Sequence, residues 1–163
     1  MLVTAVLFWQ VVLAVHIAAV IITFGVIFAY PVIYLFAAKL DPRAMPWYYR
    51  MRVLLSRRLI SPGLVLVLVA GIYLASKLHQ WRFNYARWGL AVIVIIGGLE
   101  GAVLARNEKK LAALAEQDIA VAGPGSVTWS GEYQALSRRV VTVDALILVL
   151  VLITVYVMTI HGI

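Results

Sequence analysis

The chain has 163 residues, 64% of them hydrophobic and 13% charged, with a formal net charge of +7. A soluble domain carries about 25% charged residues, so the composition points to a membrane protein whose basic residues set topology and meet anionic lipid rather than nucleic acid. There is no cysteine, which excludes disulfides, thiolate metal sites and iron–sulfur clusters within this chain.

The first stretch, Leu2 to Phe36, is almost continuously apolar, and no Asp, Glu, Lys or Arg precedes Lys39. It is longer than the roughly 20 residues needed to cross a bilayer core. It lacks a basic n-region and outlasts a leader's apolar core of about 7–15 residues, so it is expected to be a retained span. Trp9, His16, Thr23 and Tyr30 recur within it every seven residues, almost in line on one helix face. An ionisable side chain inside a span is costly and turns toward the protein interior, which makes His16 the first candidate for function. Pro31 is expected to kink or stop the helix between Pro31 and Ala38.

Lys39 to Arg58 holds Lys39, Arg43, Arg50, Arg52, Arg57 and Arg58 against one acid, Asp41, with Pro42, Pro46 and the aromatics Trp47, Tyr48 and Tyr49. This mixture suits a loop or short helix on an anionic membrane surface. The second span is expected from about Leu59 to Ser76, with Ser61 as cap and Pro62 in the first turn. Gly71 inside it allows close approach of another helix. Lys77 to Arg87, with His79, Trp81 and Tyr85, reads as a short interfacial loop.

The third span runs from Trp88 to about Ala105. Gly97 and Gly101 form a GxxxG element, a surface for close helix packing. Glu100 lies between them, roughly 9 Å of helix from Arg106. Beyond Arg106 the pattern stays helical but turns amphipathic as far as Glu116, and the helix is expected to project from the membrane. Gly123, Pro124, Gly125 and Ser126 mark a loop. Glu132 to Ser137 starts an interfacial helix, and the fourth span follows from Val140 to Ile160, with Asp144 one turn beyond Arg138 and Arg139.

The expected fold is therefore all-α: an integral membrane protein folded as a four-helix transmembrane bundle, one domain over residues 1–163, without internal repeats. The first and third loops carry 6 and 5 basic residues against 3 in the second. The positive-inside rule places the first and third loops in the cytoplasm and both termini outside.

Three ionisable groups fall at membrane depth: His16, Glu100 and Asp144. Two carboxylates close together in low dielectric cannot both ionise easily, so Glu100 and Asp144 could share a proton or bind a cation. Alternatively each pairs with a nearby arginine. His16 could ligate haem or copper, relay protons, or pack with its ring hydrogen-bonded. A second haem ligand would have to come from His161, His79, a second copy of the chain or another residue type. No nucleophile motif, phosphate loop or zinc signature is present.

The run His16-Ile17-Ala18-Ala19-Val20 with Gly25 and Pro31, and the run Ile60-Ser61-Pro62 with Gly71-Ile72-Tyr73, resemble a group of small bacterial membrane proteins. The group includes the copper-resistance protein D family, the membrane protoporphyrinogen oxidase of haem synthesis and an uncharacterised four-helix family, the nearest of the three. The resemblance covers roughly the first half of the chain. It implies that His16 is an axial ligand of haem b. The oxidase members carry a lysine early in the third span after a tryptophan. Here Trp88 is followed by Gly89, Leu90, Ala91 and Val92, so protoporphyrinogen oxidation is not implied. Met- or His-rich surfaces suited to copper delivery are also lacking.

Three functional expectations follow. The first is a haem- or redox-associated membrane protein using His16, with Trp9 and Tyr30 flanking the cofactor and Thr23 orienting the imidazole. The second is a small proton- or ion-coupled transporter or channel using Glu100 and Asp144. The third is an assembly subunit, or a homo-oligomer, packing through Gly97 and Gly101. The expected setting is the bacterial plasma (inner) membrane.

Overall fold

Backbone groups in hydrocarbon must be hydrogen-bonded within their own segment, and the chain meets this demand with helix almost throughout. A computed structural model describes residues 7–161, among which there is no strand. The helices are α1 (Phe8–Leu40), α2 (Met45–Leu55), α3 (Ser61–Lys77), α4 (Asn84–Gly98), α5 (Ala105–Ala122) and α6 (Gly131–His161). α2 passes into α3 through a wide π turn at Ser56–Ile60, and α4 passes into α5 through another at Leu99–Leu104. The result is four long helices joined by short connections. Each contains a stretch long and apolar enough to cross a membrane. Phe8, Ile21, Val65, Val94 and Leu152 are each more than half exposed, an apolar surface that suits lipid rather than water. The chain is a multi-pass membrane protein with a four-helix bundle fold.

Helix boundaries depart from the sequence reading in ways the backbone explains. The part of the first expected span before residue 7 lies outside the described residues. α1 runs through Pro31 to Leu40 without ending there. The second long helix begins at Met45 rather than Leu59, so Arg50, Arg52, Arg57 and Arg58 are helical, the helix rather than the loop of the two expected forms, and continuous with the span. Pro62 lacks an N–H and crowds the carbonyl four residues back. The π turn sits immediately before it, where Ser61 N–H bonds the Ser56 carbonyl five residues away. In the same way Ala105 N–H bonds the Glu100 carbonyl.

The π turns also keep one face inward. Arg52, Ser56, Ile60 and Leu64 are buried, and so are Ile96, Glu100, Leu104 and Glu108. A spacing of four drifts by roughly 40° per step in an α-helix of 3.6 residues per turn. A wider turn absorbs that drift.

α1 packs along α3, α4 along α6, and α2 along α5. Small residues set the closest approaches. A Cβ at Gly63 would collide with Thr23, one at Gly89 with the Met158 methyl, and one at Gly71 would stand 3.2 Å from His16 Cε1. Gly97 and Gly101, expected at a helix contact, meet no neighbouring atom within 4 Å of a built Cβ. Among the described residues, no other helix approaches their Cα positions closely.

At the end of the bundle holding the first and third connections, the Arg43 guanidinium donates to the carbonyl oxygens of Gly123 and Gly125, the latter at 2.8 Å. Gly123 leaves α5 with φ +57°, a conformation glycine adopts without steric cost. Arg50 pairs with Glu116, and Lys110 with Glu132 at 2.6 Å. This end, where α2 and α5 continue together, is called the basic end below.

Candidate functional site

Two places in the bundle hold chemistry, one above the other. The first is an ionic cluster centred on Arg52, which is only 2% exposed. Its guanidinium makes a two-pronged pair with Asp144, at 2.6 Å from Nη1 to Oδ2 and 2.8 Å from Nη2 to Oδ1. Nη2 also lies 2.7 Å from Glu108 Oε1. Such forked guanidinium–carboxylate pairs combine charge with fixed geometry. Nη1 donates to the Tyr48 hydroxyl at 3.3 Å, and Tyr48 donates onward to the Tyr30 carbonyl at 3.2 Å. The Tyr30 ring lies 4.3 Å from the Arg52 Cζ, in cation–π contact.

Glu100 completes the cluster. It sits in the second π turn and is 3% exposed. Its Oε2 accepts from Ser56 Oγ at 3.3 Å, so the two π turns meet at this bond. Its Oε1, the Tyr30 hydroxyl and Arg52 Nε are buried without a hydrogen-bond partner among the described residues. Toward the basic end the cluster is closed by packed tyrosines. Tyr48 and Tyr49 have ring centroids 5.2 Å apart, and the Tyr49 and Tyr133 hydroxyls are 3.3 Å apart.

The second place is an apolar cavity of about 320 Å³ between α1, α3, α4 and α6. His16 stands on its wall, partly buried, its ring beside the Val67 backbone and its Nδ1 enclosed without a well-formed hydrogen bond among the described residues. Met158 and Tyr85 line the same cavity, and so does Thr154, which accepts from the Trp88 indole at 3.2 Å. Gln80 and Trp81 line it at the end away from the basic loops. Exposed apolar residues such as Ile72 and Val155 form part of the lining, so the cavity reaches the lipid-facing surface. Its opposite end is formed by Ile96, one helical turn before Glu100.

The sequence-derived candidates divide between these places. His16 and Gly71 lie together at the cavity. Trp9, Thr23 and Tyr30 do not line it. Tyr30 is fourteen residues, about 21 Å of helix, from His16, and covers Arg52 instead. Thr23 packs on Gly63. Glu100 and Asp144 share the ionic cluster without hydrogen-bonding each other: Asp144 is held by Arg52 and not by Arg138 or Arg139, and Glu100 is held by Ser56. His79 is exposed at the opposite end from the basic loops.

Arg52 and Glu108 were not distinguished by the sequence reading, although a signal exists. Glu108 lies on the same face of α5 as Leu104, Leu111, Ala112 and Ala115, all buried. An acid on an apolar face needs a cationic partner.

Comparison of the chain with protein-family models, with curated proteins and with solved structures found no match in any of the three. Among the described residues no cluster of three or more His, Cys, Asp and Glu side chains has the arrangement of a metal site. A haem needs less: an apolar slot, an imidazole and a second soft or nitrogen ligand. The cavity supplies apolar walls, His16 and Met158. Arg82 and Arg87 neighbour the lining residues Trp81 and Ala86 in sequence, Arg87 Nε donating to the Trp81 carbonyl at 3.1 Å and Arg82 stacking over the Phe83 ring.

Proposed function

We propose that the chain is a haem-associated redox protein of the membrane, in which His16 and Met158 would hold the iron. The observation that carries this reading is the placement of His16 and Met158 on the wall of one apolar cavity inside a four-helix bundle. The cofactor would supply one-electron chemistry. The protein's own part is to hold the ring between hydrocarbon walls, keep water from the iron and present the imidazole from a helix fixed against Gly71. Trp88, hydrogen-bonded to Thr154, braces α4 on α6 beside the slot.

We place the protein in the bacterial inner membrane with both termini outside. The supporting feature is the set of exposed cations at the basic end, including Lys39, Arg57, Arg58, Arg106, Arg138 and Arg139, which suits an anionic cytoplasmic leaflet.

The test is an absorption spectrum of protein gently purified from cells supplied with ample haem. The expected result is a Soret band, with visible bands that sharpen on reduction. His16→Ala should remove it. Met158→Ala should change the spectrum while leaving haem bound, and His79→Ala should leave it unaltered. Colourless protein, or a Soret band that survives in His16→Ala, overturns the reading.

A further inference from the structure

The ionic cluster has an imbalance that packing alone does not resolve. One guanidinium, Arg52, faces three carboxylates, those of Glu100, Glu108 and Asp144. The lysines and remaining arginines at this end are exposed and their charge is dispersed in solvent or headgroups. Glu108 and Asp144 both reach Arg52 directly, at 2.7 and 2.6 Å. Glu100 does not: among the described residues its side chain is hydrogen-bonded by the neutral Ser56 hydroxyl alone. An ionised carboxylate enclosed with a single neutral donor is costly in low dielectric. A neutral carboxylic acid at the same place costs less, because burying an uncharged polar group carries a far smaller penalty than burying a charge. Oε1 is the oxygen without a partner, and the buried Tyr30 hydroxyl, which also lacks one, belongs to the same cluster.

We propose that Glu100 is a proton-binding site, carrying its proton on Oε1 while Ser56 holds Oε2, beside an Arg52–Glu108–Asp144 triad whose one cation and two carboxylates already leave a net charge of −1 and so disfavour a further anion. The charged and titratable groups near it come from four helices: Tyr30 on α1, Arg52 on α2, Glu108 on α5 and Asp144 on α6. The triad is the lock and Glu100 the exchangeable member.

Its position gives the site a direction. Ile96, one turn earlier on α4, belongs to the end of the His16 cavity nearest the cluster. Two turns later on the same continuous helix, Glu108 lies toward the basic end, roughly 12 Å away. The Tyr49, Tyr133 and Ser137 hydroxyls form a buried hydrogen-bonded chain at that end. A proton on Glu100 is thus stored between the basic end and the cavity. This inference does not depend on what the cavity holds.

The test is infrared difference spectroscopy of the full chain in lipid nanodiscs across neutral pH, reading the carbonyl stretch of a protonated carboxylic acid. A band is expected in the parent and in His16→Ala, and it should be lost in Glu100→Gln. Glu116→Gln, at an exposed ion pair, should retain it. No such band in the parent overturns the proposal. A band that persists in folded Glu100→Gln also overturns it, because the proton then belongs to Glu108 or Asp144. Loss of the band when choline chloride is replaced by sodium chloride would make this a cation site and overturn it as well. If Glu100→Gln fails to fold, Ser56→Ala decides, since loss of the Oε2 bond should shift the band, and an unshifted band counts against Glu100.

Discussion

Replacing Arg52 with methionine removes the only cation from a buried cluster while keeping a side chain of similar length. Glu108 and Asp144 would then lose their partner together. Breaking one buried pair by deleting one member costs about 3–5 kcal/mol, because the charge left behind has no solvent. Asp144 retains some relief, its side chain being 14% exposed, whereas Glu108 has almost none at 2%. The cation–π contact with Tyr30 disappears as well. A loss of about 3–5 kcal/mol is therefore expected, roughly two to nearly four orders of magnitude in the unfolding constant. It is measured by reversible unfolding in mixed micelles of increasing denaturing detergent. The triple variant Arg52→Met, Glu108→Gln, Asp144→Asn removes the whole charge set and should recover most of the loss, since replacing a complete buried ionic group is often neutral. Arg52→Met unfolding within about 0.5 kcal/mol of the parent, the range of an ordinary surface substitution, would refute the reasoning. So would a triple variant no more stable than the single one.

Two further outcomes follow from the packing and the charge distribution, beside the haem spectrum and the infrared titration described above. Gly63→Ala should destabilise the fold by about 1–3 kcal/mol in the same unfolding assay, because its methyl would meet Thr23; Gly97→Leu and Gly101→Leu should unfold like the parent, having open space around them. Reporter fusions after Ala38 and within residues 123–125 should read as cytoplasmic and a fusion at His79 as external, and the reverse pattern would invert the proposed orientation.

The four spans were legible because length and hydropathy act residue by residue, and no tertiary knowledge is needed to see them. The pairing of His16 with Gly71 was half legible: each was singled out, but nothing in a linear pattern says that one meets the other. The seven-residue series from Trp9 to Tyr30 misled for a physical reason. A shared helix face is not a shared height, and the series covers about 32 Å of helix, enough for two separate sites. Arg52 was hidden by its neighbours. Among Arg50, Arg57 and Arg58 it reads as one more interfacial cation, and only the continuation of helix through Ser56–Ile60 turns it inward. Glu108 was hidden by the same logic, as one acid among the charges of an amphipathic segment. Glu100 and Asp144 stood out because apolar sequence surrounds them.

The paired π turns carry a consequence for how this sequence can change. A turn closed by a bond five residues back holds one residue more than an α turn, and each residue of helix is worth roughly 100° of rotation. Excising a single residue from Ser56–Ile60 would swing everything toward the N-terminal side around the helix axis relative to α3, carrying Arg52 away from Asp144 and Glu108. The same excision within Leu99–Leu104 would tear Glu108 from Arg52 while leaving the cavity residues of α4 in place. The two wide turns therefore act as phase adjusters, setting the cavity half of the bundle and its basic end in rotational register. Substitutions that keep the chain length can be absorbed here one at a time, whereas a length change in either turn must be answered by one in the other.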